Sequence, residues 1–237
     1  RAAGSMAQAQ VDLEVRMFKL PGLLGVLPAA PLGSVLEIGC ATGELIAAFP
    51  AARRVGLDIS RENVEAARAR FPQVEFRCGD FRDAADLSGF DAVVLSDVLE
   101  HVPDDAAFLR DAAALGRMVL VNLPLEDNWL NDRRPYGPDD VSGHLRRYGI
   151  DEGLALFERA GLEVLAHART WIHETPADAA RRSLRRERTG TAYAGGAAVR
   201  LAKRLVDATA VAVPAFGRRL YASNLFASAR PRDRAAA

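Results

Sequence analysis

The sequence predicts an α/β fold, a mostly parallel sheet with helices on both faces, and three observations carry that prediction. Short apolar runs recur at Ser34–Ile38, Arg54–Leu57, Val74–Cys78, Ala92–Leu95 and Met118–Val121, separated by stretches of helical spacing. The first run meets a turn, Gly39-Cys40-Ala41-Thr42-Gly43, which opens directly into a helix-like segment. Acids stand just past the ends of the runs, at Asp58 and Asp80. Strand–helix alternation gives right-handed parallel crossovers, and ligands in such sheets sit beyond the carboxyl ends of the strands.

The elements follow in order. Val11, Val15 and Phe18 give residues Met6–Leu20 helical spacing, and Pro21-Gly22 is expected to end that helix. A short apolar stretch, Leu23–Leu27, precedes the first strand. After the glycine turn, a helix spans Glu44–Phe49 and closes at Pro50. Ser60 is placed to cap a helix whose inner face is Val64, Ala67, the stem of Arg68 and Phe71. Asp104 caps a helix over Asp105–Leu115, with Gly116 as its terminator. An irregular stretch, Asn122–Gly149, comes before a helix at Asp151–Ala160 and a strand at Leu162–Ala168. Two helices, Ala177–Arg188 and Ala197–Val213, then precede a last strand at Tyr221–Arg230.

At 237 residues, 49% apolar and 26% charged, the chain suits one sizeable soluble domain with an embellishment. Neither a signal-peptide pattern nor a membrane-length apolar run is seen, and Arg1–Ser5 before Met6 read as a tag remnant. The two cysteines, Cys40 and Cys78, fit a reducing cytoplasm. Formal net charge is zero, yet Pro176–Leu220 holds ten basic residues against three acids. A basic segment is set on an acidic body. The expected division is residues 1–33 as remnant and helical cap, 34–175 as core, 176–220 as basic insertion and 221–231 as final strand.

Glu37, inside the first strand, disfavours a pyrophosphate at the turn, because a carboxylate would repel it. A ligand with positive charge and hydroxyl donors suits the turn better. Asp58, fifteen residues beyond Gly43, can accept hydrogen bonds from ribose hydroxyls. Dinucleotide enzymes place an acid similarly, but their G-x-G-x-x-G fingerprint is missing from this turn.

Val35–Gly43 (VLEIGCATG), Val55–Asp58 (VGLD), Gly79-Asp80-Phe81, Phe90–His101 (FDAVVLSDVLEH) and Gly143–Tyr148 (GHLRRY) together resemble the class I S-adenosylmethionine-dependent methyltransferases, the branch acting on quinones, sugars and natural products. The resemblance covers roughly Val35–Arg169 and departs at Ala41, where the family usually has glycine. It implies a Rossmann-like seven-stranded mostly parallel sheet, its seventh strand antiparallel; between strands six and seven, where the family often has a tight connection, this sequence carries a helical insertion, Pro176–Leu220. It also implies S-adenosyl-L-methionine as cofactor, held by Glu37, Gly39, Cys40, Ala41, Gly43, Asp58, Ile59, Asp80, Phe81 and Ser96. Phe81 either stacks on adenine or belongs to the core.

Acceptor chemistry is expected after strands four, five and six. His144 is the preferred general base, with His101 and Asp97 as further catalytic candidates. Glu126, Trp129, Arg146, His173 and Arg182 are the acceptor-binding candidates. Ser96-Asp97-Val98-Leu99 is unlike the Asn/Asp-Pro-Pro-aromatic stretch of base-amino methyltransferases, so no nucleic-acid partner is expected. Asp132, Asp139, Asp140 and His144 are weighed as a metal cluster, and no metal is expected. The function expected is methyl transfer to an oxygen, or nitrogen, of a small molecule of specialised metabolism, with acidic and sugar-bearing metabolites among the acceptors weighed. The chain is expected as a monomer or homodimer. Alternatives are a lipid or quinone methyltransferase at a membrane surface, with Leu201, Leu205, Val211 and Phe216 touching lipid, and a catalytically silent binding module.

Overall fold

The structure, a computed structural model, describes residues 9–28, 31–84, 86–129, 131–170, 197–221 and 223–232. His173, Arg182 and the expected helix Ala177–Arg188 lie outside the described residues. Helix α1 covers residues 9–25. Strand β1 (Leu32–Ile38), helix α2 (Glu44–Ala48), strand β2 (Ala51–Asp58), helix α3 (Arg61–Arg70) and strand β3 (Glu75–Cys78) follow. Then come β4 (Ala92–Ser96), α4 (Asp105–Ala113), β5 (Val119–Leu125), α5 (Ile150–Arg159) and β6 (Leu162–Thr170). Helices α6 (Ala197–Ala212) and α7 (Pro214–Leu220) lead to the last strand, β7 (Ser223–Pro231).

The seven strands form one sheet in the order β3-β2-β1-β4-β5-β7-β6. Strands β1 to β5 pair parallel, and β7 runs antiparallel between β5 and β6. The chain winds outward through β2 and β3, then returns to place β4 on the other side of β1. The switch point therefore lies between β1 and β4, where a crevice opens beyond the strand ends.

Alternation along each strand feeds two cores. Leu36, Ile38, Leu95, Val121 and Leu225 face Leu109, Leu156 and Phe157 of α4 and α5. Val35, Val94, Leu120 and Phe226 face Phe18, Leu23, Ile46 and Val64 of α1, α2 and α3. Each fully buried large apolar side chain contributes about 1.5–3 kcal/mol. Ser60 accepts from the Asn63 amide at 3.3 Å and Asp104 from Ala107 at 2.9 Å, so both expected caps are present.

Two boundaries differ from expectation for identifiable reasons. Pro21-Gly22 does not end the first helix, which continues to Gly25. Proline lacks an amide and crowds the preceding turn; here that turn, Val15–Lys19, is a wider π-type segment. Gly22 is needed for contact, since a Cβ there would lie 2.4 Å from the Phe226 ring. Strand β5 continues past Val121 through Pro124, because β7 supplies a long antiparallel partner as far as Leu125↔Ser223. The irregular segment therefore begins at Glu126. Ala212 ends α6 before Pro214, which starts the separate helix α7. No helix among the described residues is long and apolar enough to cross a membrane.

Candidate active site

The first half of the crevice is built by backbone around β1 and β2. The amides of Gly39 and Cys40 both donate to the Leu57 carbonyl, at 2.8 and 3.0 Å. Gly43 has φ of +85°, and a Cβ there would strike the Phe76 ring at 2.6 Å, so only glycine closes the turn against α3 and β3. Ala41, in the position usually held by glycine, adopts φ of 45°. Its amide donates to Asp58 Oδ2 at 2.8 Å, which anchors the left-handed residue.

Asp58 also accepts from the Ser60 amide at 2.8 Å and from Asn63 Nδ2 at 3.4 Å, leaving lone-pair capacity for a ligand hydroxyl. Beside it Ile59 is 82% exposed, an open apolar face at the end of β2. Asp80 pairs with Arg82 at 2.6 Å, which holds its carboxyl below the usual range. Glu37 is buried and accepts from the Ile46 amide at 2.9 Å, tying the turn to α2. Burial pushes its carboxyl up to about 8, opposed by the charge of Lys19.

Two expected cofactor contacts are corrected. Cys40 points into the core, where Gly56 has no side chain to displace it, so only its backbone belongs to the turn. Phe81 is 4% exposed and packs edge-to-face on Phe108 at 5.1 Å. Of its two readings, the core position is the one observed.

The second half is built by side chains beyond β4 and β5. Asp97 has φ of 56°, a strained setting for a residue other than glycine. It is held by the Asn122 carbonyl, which accepts its amide at 3.0 Å, and by Lys19 Nζ at 2.8 Å from its Oδ2. Ser96 Oγ and Asn122 Nδ2 donate to the same oxygen at 2.9 and 3.1 Å. Asn224 of β7 donates to Asn122 Oδ1 at 2.7 Å. Burial alone would lower the Lys19 pKa, but Asp97, with Glu14 and Glu37, holds it above the ordinary value.

His144 and His101 meet edge-to-face with ring centroids 4.8 Å apart. His144 Nδ1 lies 2.7 Å from Glu126 Oε2, and His101 Nδ1 lies 3.1 Å from the Gly143 carbonyl. Both partners only accept, so each Nδ1 carries a proton, and in the neutral ring each Nε2 keeps its lone pair. Glu126 is buried and also bound by Arg134, which forks onto Asp140. Glu126 thus orients His144, a correction to its expected contact with acceptor. Asp140 is engaged by Arg134, and Asp132 lies 3.4 Å from Arg147 on the surface. Arg146 is likewise taken, by the Pro103 carbonyl at 2.6 Å and Asp105 at 3.1 Å. It braces the turn before α4.

Glu100, in the short 3-10 turn Leu99–His101, is 1% exposed, and burial together with the Asp97 charge pushes its carboxyl up to about 8. A cavity of about 680 Å³ opens beyond β5 and β6, lined by Asn128, Trp129, Ile150, Arg169 and Arg219 among others. Trp129 is half exposed there and meets Phe216 of α7 edge-on at 6.0 Å.

Lys19, Asn122, Arg134 and Asn224 went unpredicted. Lys19 carries one signal, a lone cation on the apolar helix face between Phe18 and Leu20. The others carry none short of the fold itself.

Comparison with known proteins agrees with this geometry. A family model described as a methyltransferase domain matches residues 14–167, more than half of the chain. Trans-aconitate 2-methyltransferase of Azoarcus sp. is 34% identical over 93 residues, 38% of this chain and 37% of that protein. A ubiquinone biosynthesis O-methyltransferase of Bradyrhizobium diazoefficiens is 32% identical over 171 residues, 61% of this chain and 67% of its own. Against the first curated relatives, the chain spans only about two-fifths of their length, 37% and 41%. Magnesium protoporphyrin IX methyltransferase of Synechocystis, crystallised with S-adenosylhomocysteine, shares the fold at a TM-score of 0.56 and 18% identity, over 97% of this chain and 88% of that one. With the strand order, the glycine turn and the two strand-end acids in place, the chain belongs to the class I S-adenosylmethionine-dependent methyltransferase family.

Proposed function

We propose that this protein transfers a methyl group from S-adenosylmethionine to a hydroxyl oxygen of a small molecule. The observation that carries the reading is the His144–Glu126 pair, 2.7 Å apart and set beyond β5 beside the strained Asp97. Likeness to a ubiquinone biosynthesis O-methyltransferase supports oxygen as the acceptor atom.

The residues present fit the cofactor. Asp58 retains acceptor capacity for a ribose hydroxyl, Ile59 offers an exposed apolar face to adenine, and Asp80 stands at the edge of that crevice. Asp97 and Lys19 stand at the methionine end, where Asp97 favours a cation and Lys19 can meet a carboxylate, with the protonated Glu37 buried beneath the turn. When bound, S-adenosylmethionine supplies a methyl group on an electrophilic sulfonium. The chain aligns the acceptor oxygen with that methyl and excludes water. His144 Nε2 accepts the hydroxyl proton as the oxygen–methyl bond forms, while Glu126 holds the ring and stabilises its charged form.

The cavity beside Trp129, whose wall includes Asp127 next to Glu126 but not His144 itself, is the acceptor's place in this reading. Its lining includes Asp127, Asp132, Asp151 and Glu152 against Arg169 and Arg219, which suits a neutral or weakly charged acceptor better than a strongly acidic one. A second reading rests on α6, where Leu201 and Leu205 are 60% and 61% exposed, an apolar stripe that suits a lipid or quinone acceptor at a membrane surface. Calorimetric titration with S-adenosylhomocysteine, followed by methyl transfer to a panel of phenols, aliphatic hydroxy acids and quinols, tests the proposal. Absence of cofactor binding would instead support the silent module. Co-sedimentation with anionic vesicles, abolished by Leu201→Ser with Leu205→Ser, would support the second reading.

A further inference from the structure

Among the described residues, Glu100 is a buried carboxyl that the proposed methyl transfer does not use. It is 1% exposed, and neither carboxylate oxygen has a hydrogen-bond partner. A buried carboxyl without partners costs several kcal/mol unless it is neutral or faces a cation. What it faces is a pair of imidazoles. His101 Nε2 lies 3.9 Å from Glu100 Oε1, and one ligand atom from each of Glu100, His101 and His144 lies within 4.8 Å of the others.

The histidines are prepared in a particular way. Each donates Nδ1–H to an oxygen outside the cluster, His144 to the Glu126 carboxylate and His101 to the Gly143 carbonyl. In the neutral rings that selects the tautomer with Nε2 free, the arrangement in which metal-binding histidines are held by carboxylate or carbonyl oxygens behind them. Arg134 clamps Glu126 and Asp140 in turn, and Asp140 accepts from the Ser142 amide at 2.7 Å, which fixes the loop carrying His144. Metal–ligand bonds of about 2.1 Å place ligand atoms roughly 3–4 Å apart, so modest side-chain rotation closes the set.

We propose that Glu100, His101 and His144 form a binding site for a divalent transition-metal ion of the zinc type. Two imidazoles and one carboxylate suit zinc and its first-row neighbours, whereas magnesium and calcium take oxygen ligands. Three protein ligands leave coordination positions open, and His101 is 39% exposed at the rim. The inference deepens the methyltransferase reading, on which it rests for its purpose. An acceptor hydroxyl bound to the ion ionises more readily, its proton passing to solvent, and the resulting oxygen attacks the methyl. With the ion bound, His144 is a ligand and the ion takes over from it the task of ionising the hydroxyl, so the general-base role above belongs to the metal-free protein and the pH profile of the loaded protein follows the bound hydroxyl.

The test is direct binding to the full chain after stripping with chelator. Cobalt(II) is added and its visible d–d absorption recorded, with zinc(II) competing in equilibrium dialysis. The wild type is expected to bind a single equivalent, displaced by zinc. Glu100→Gln and His101→Ala are expected to abolish the spectrum, and Glu126→Gln to weaken affinity about tenfold. Asp139→Asn, outside the cluster, should leave binding unchanged. A wild-type spectrum no different from cobalt in buffer would overturn the proposal, as would full binding by Glu100→Gln or His101→Ala. Calorimetry with S-adenosylhomocysteine on the same samples reports folding and the cofactor site separately. Intact cofactor binding without cobalt binding sinks only the metal site, and the converse sinks only the methyltransferase reading.

Discussion

The two halves of the crevice are made differently. Around β1 and β2, the ligand surface is backbone, fixed by hydrogen bonds such as Gly39 and Cys40 onto Leu57 and Ala41 onto Asp58. Beyond β4 and β5, it is side chain on side chain, with Lys19, Asp97, Asn122 and Asn224 joined from four separate elements. A backbone cradle tolerates change in most side chains and presents one shape, which suits a constant cofactor. A side-chain network can be rewired by single substitutions, which suits an acceptor that varies among proteins of one fold.

Four substitutions probe that contrast. Asp58→Ala removes the acceptor of two loop amides together with the proposed ribose partner, and should weaken S-adenosylhomocysteine binding about 100-fold by calorimetry. If affinity holds, the cradle does not depend on its one side-chain anchor. His144→Ala should lower the transfer rate about 100-fold or more while leaving cofactor affinity unchanged, measured by release of S-adenosylhomocysteine. Equal losses in both would mean that the halves are not separable.

Glu37 gives the stability of the cradle a pH dependence. Its carboxyl is held near about 8 in the fold against an ordinary 4.5, with Lys19, Glu44 and Asp97 facing it. The folded chain thus keeps a proton that the unfolded chain releases over that interval. The stability this proton confers is complete below pH of about 4.5 and is lost as pH rises through about 8, on the order of a few kcal/mol. Glu37→Gln, which can still accept from Ile46, should flatten the decline and raise the melting temperature at pH of about 8. A parallel decline in the variant would assign the effect elsewhere. Smallest is Ser60→Ala, expected to cost about 1 kcal/mol in chemical denaturation through loss of the α3 cap, with catalysis unaffected.

The same contrast explains what the sequence made legible. Glu37, the glycine turn, Asp58 and Asp80 each sit at the end of an apolar run, so local pattern fixes their place in space. Strand boundaries failed where partners decided them, as when β7 drew β5 out to Leu125. Phe81 and Cys40 occupy the right turns, but burial claims their side chains, and local pattern does not tell a ring in the core from a ring on a ligand. On the other half, His144 was legible as a histidine in a loop on the ligand side. Its partner Glu126 was assigned to acceptor because the His144–Glu126 contact spans the whole irregular segment. Asn122 and Asn224 are 102 residues apart, and only the sheet brings them together.

That separation bears on how the molecule becomes active. Lys19 comes from the first helix and Asn224 from the last strand, and both converge on Asp97 through Gly22 against Phe226 and the β5–β7 ladder. On the ribosome, the strands that carry the glycine turn and Asp58 emerge well before β7, which the group around Asp97 must await. Contacts so distant in sequence are slow to close. β7, the latest-made strand of the sheet, is thus the one that completes the support behind Asp97.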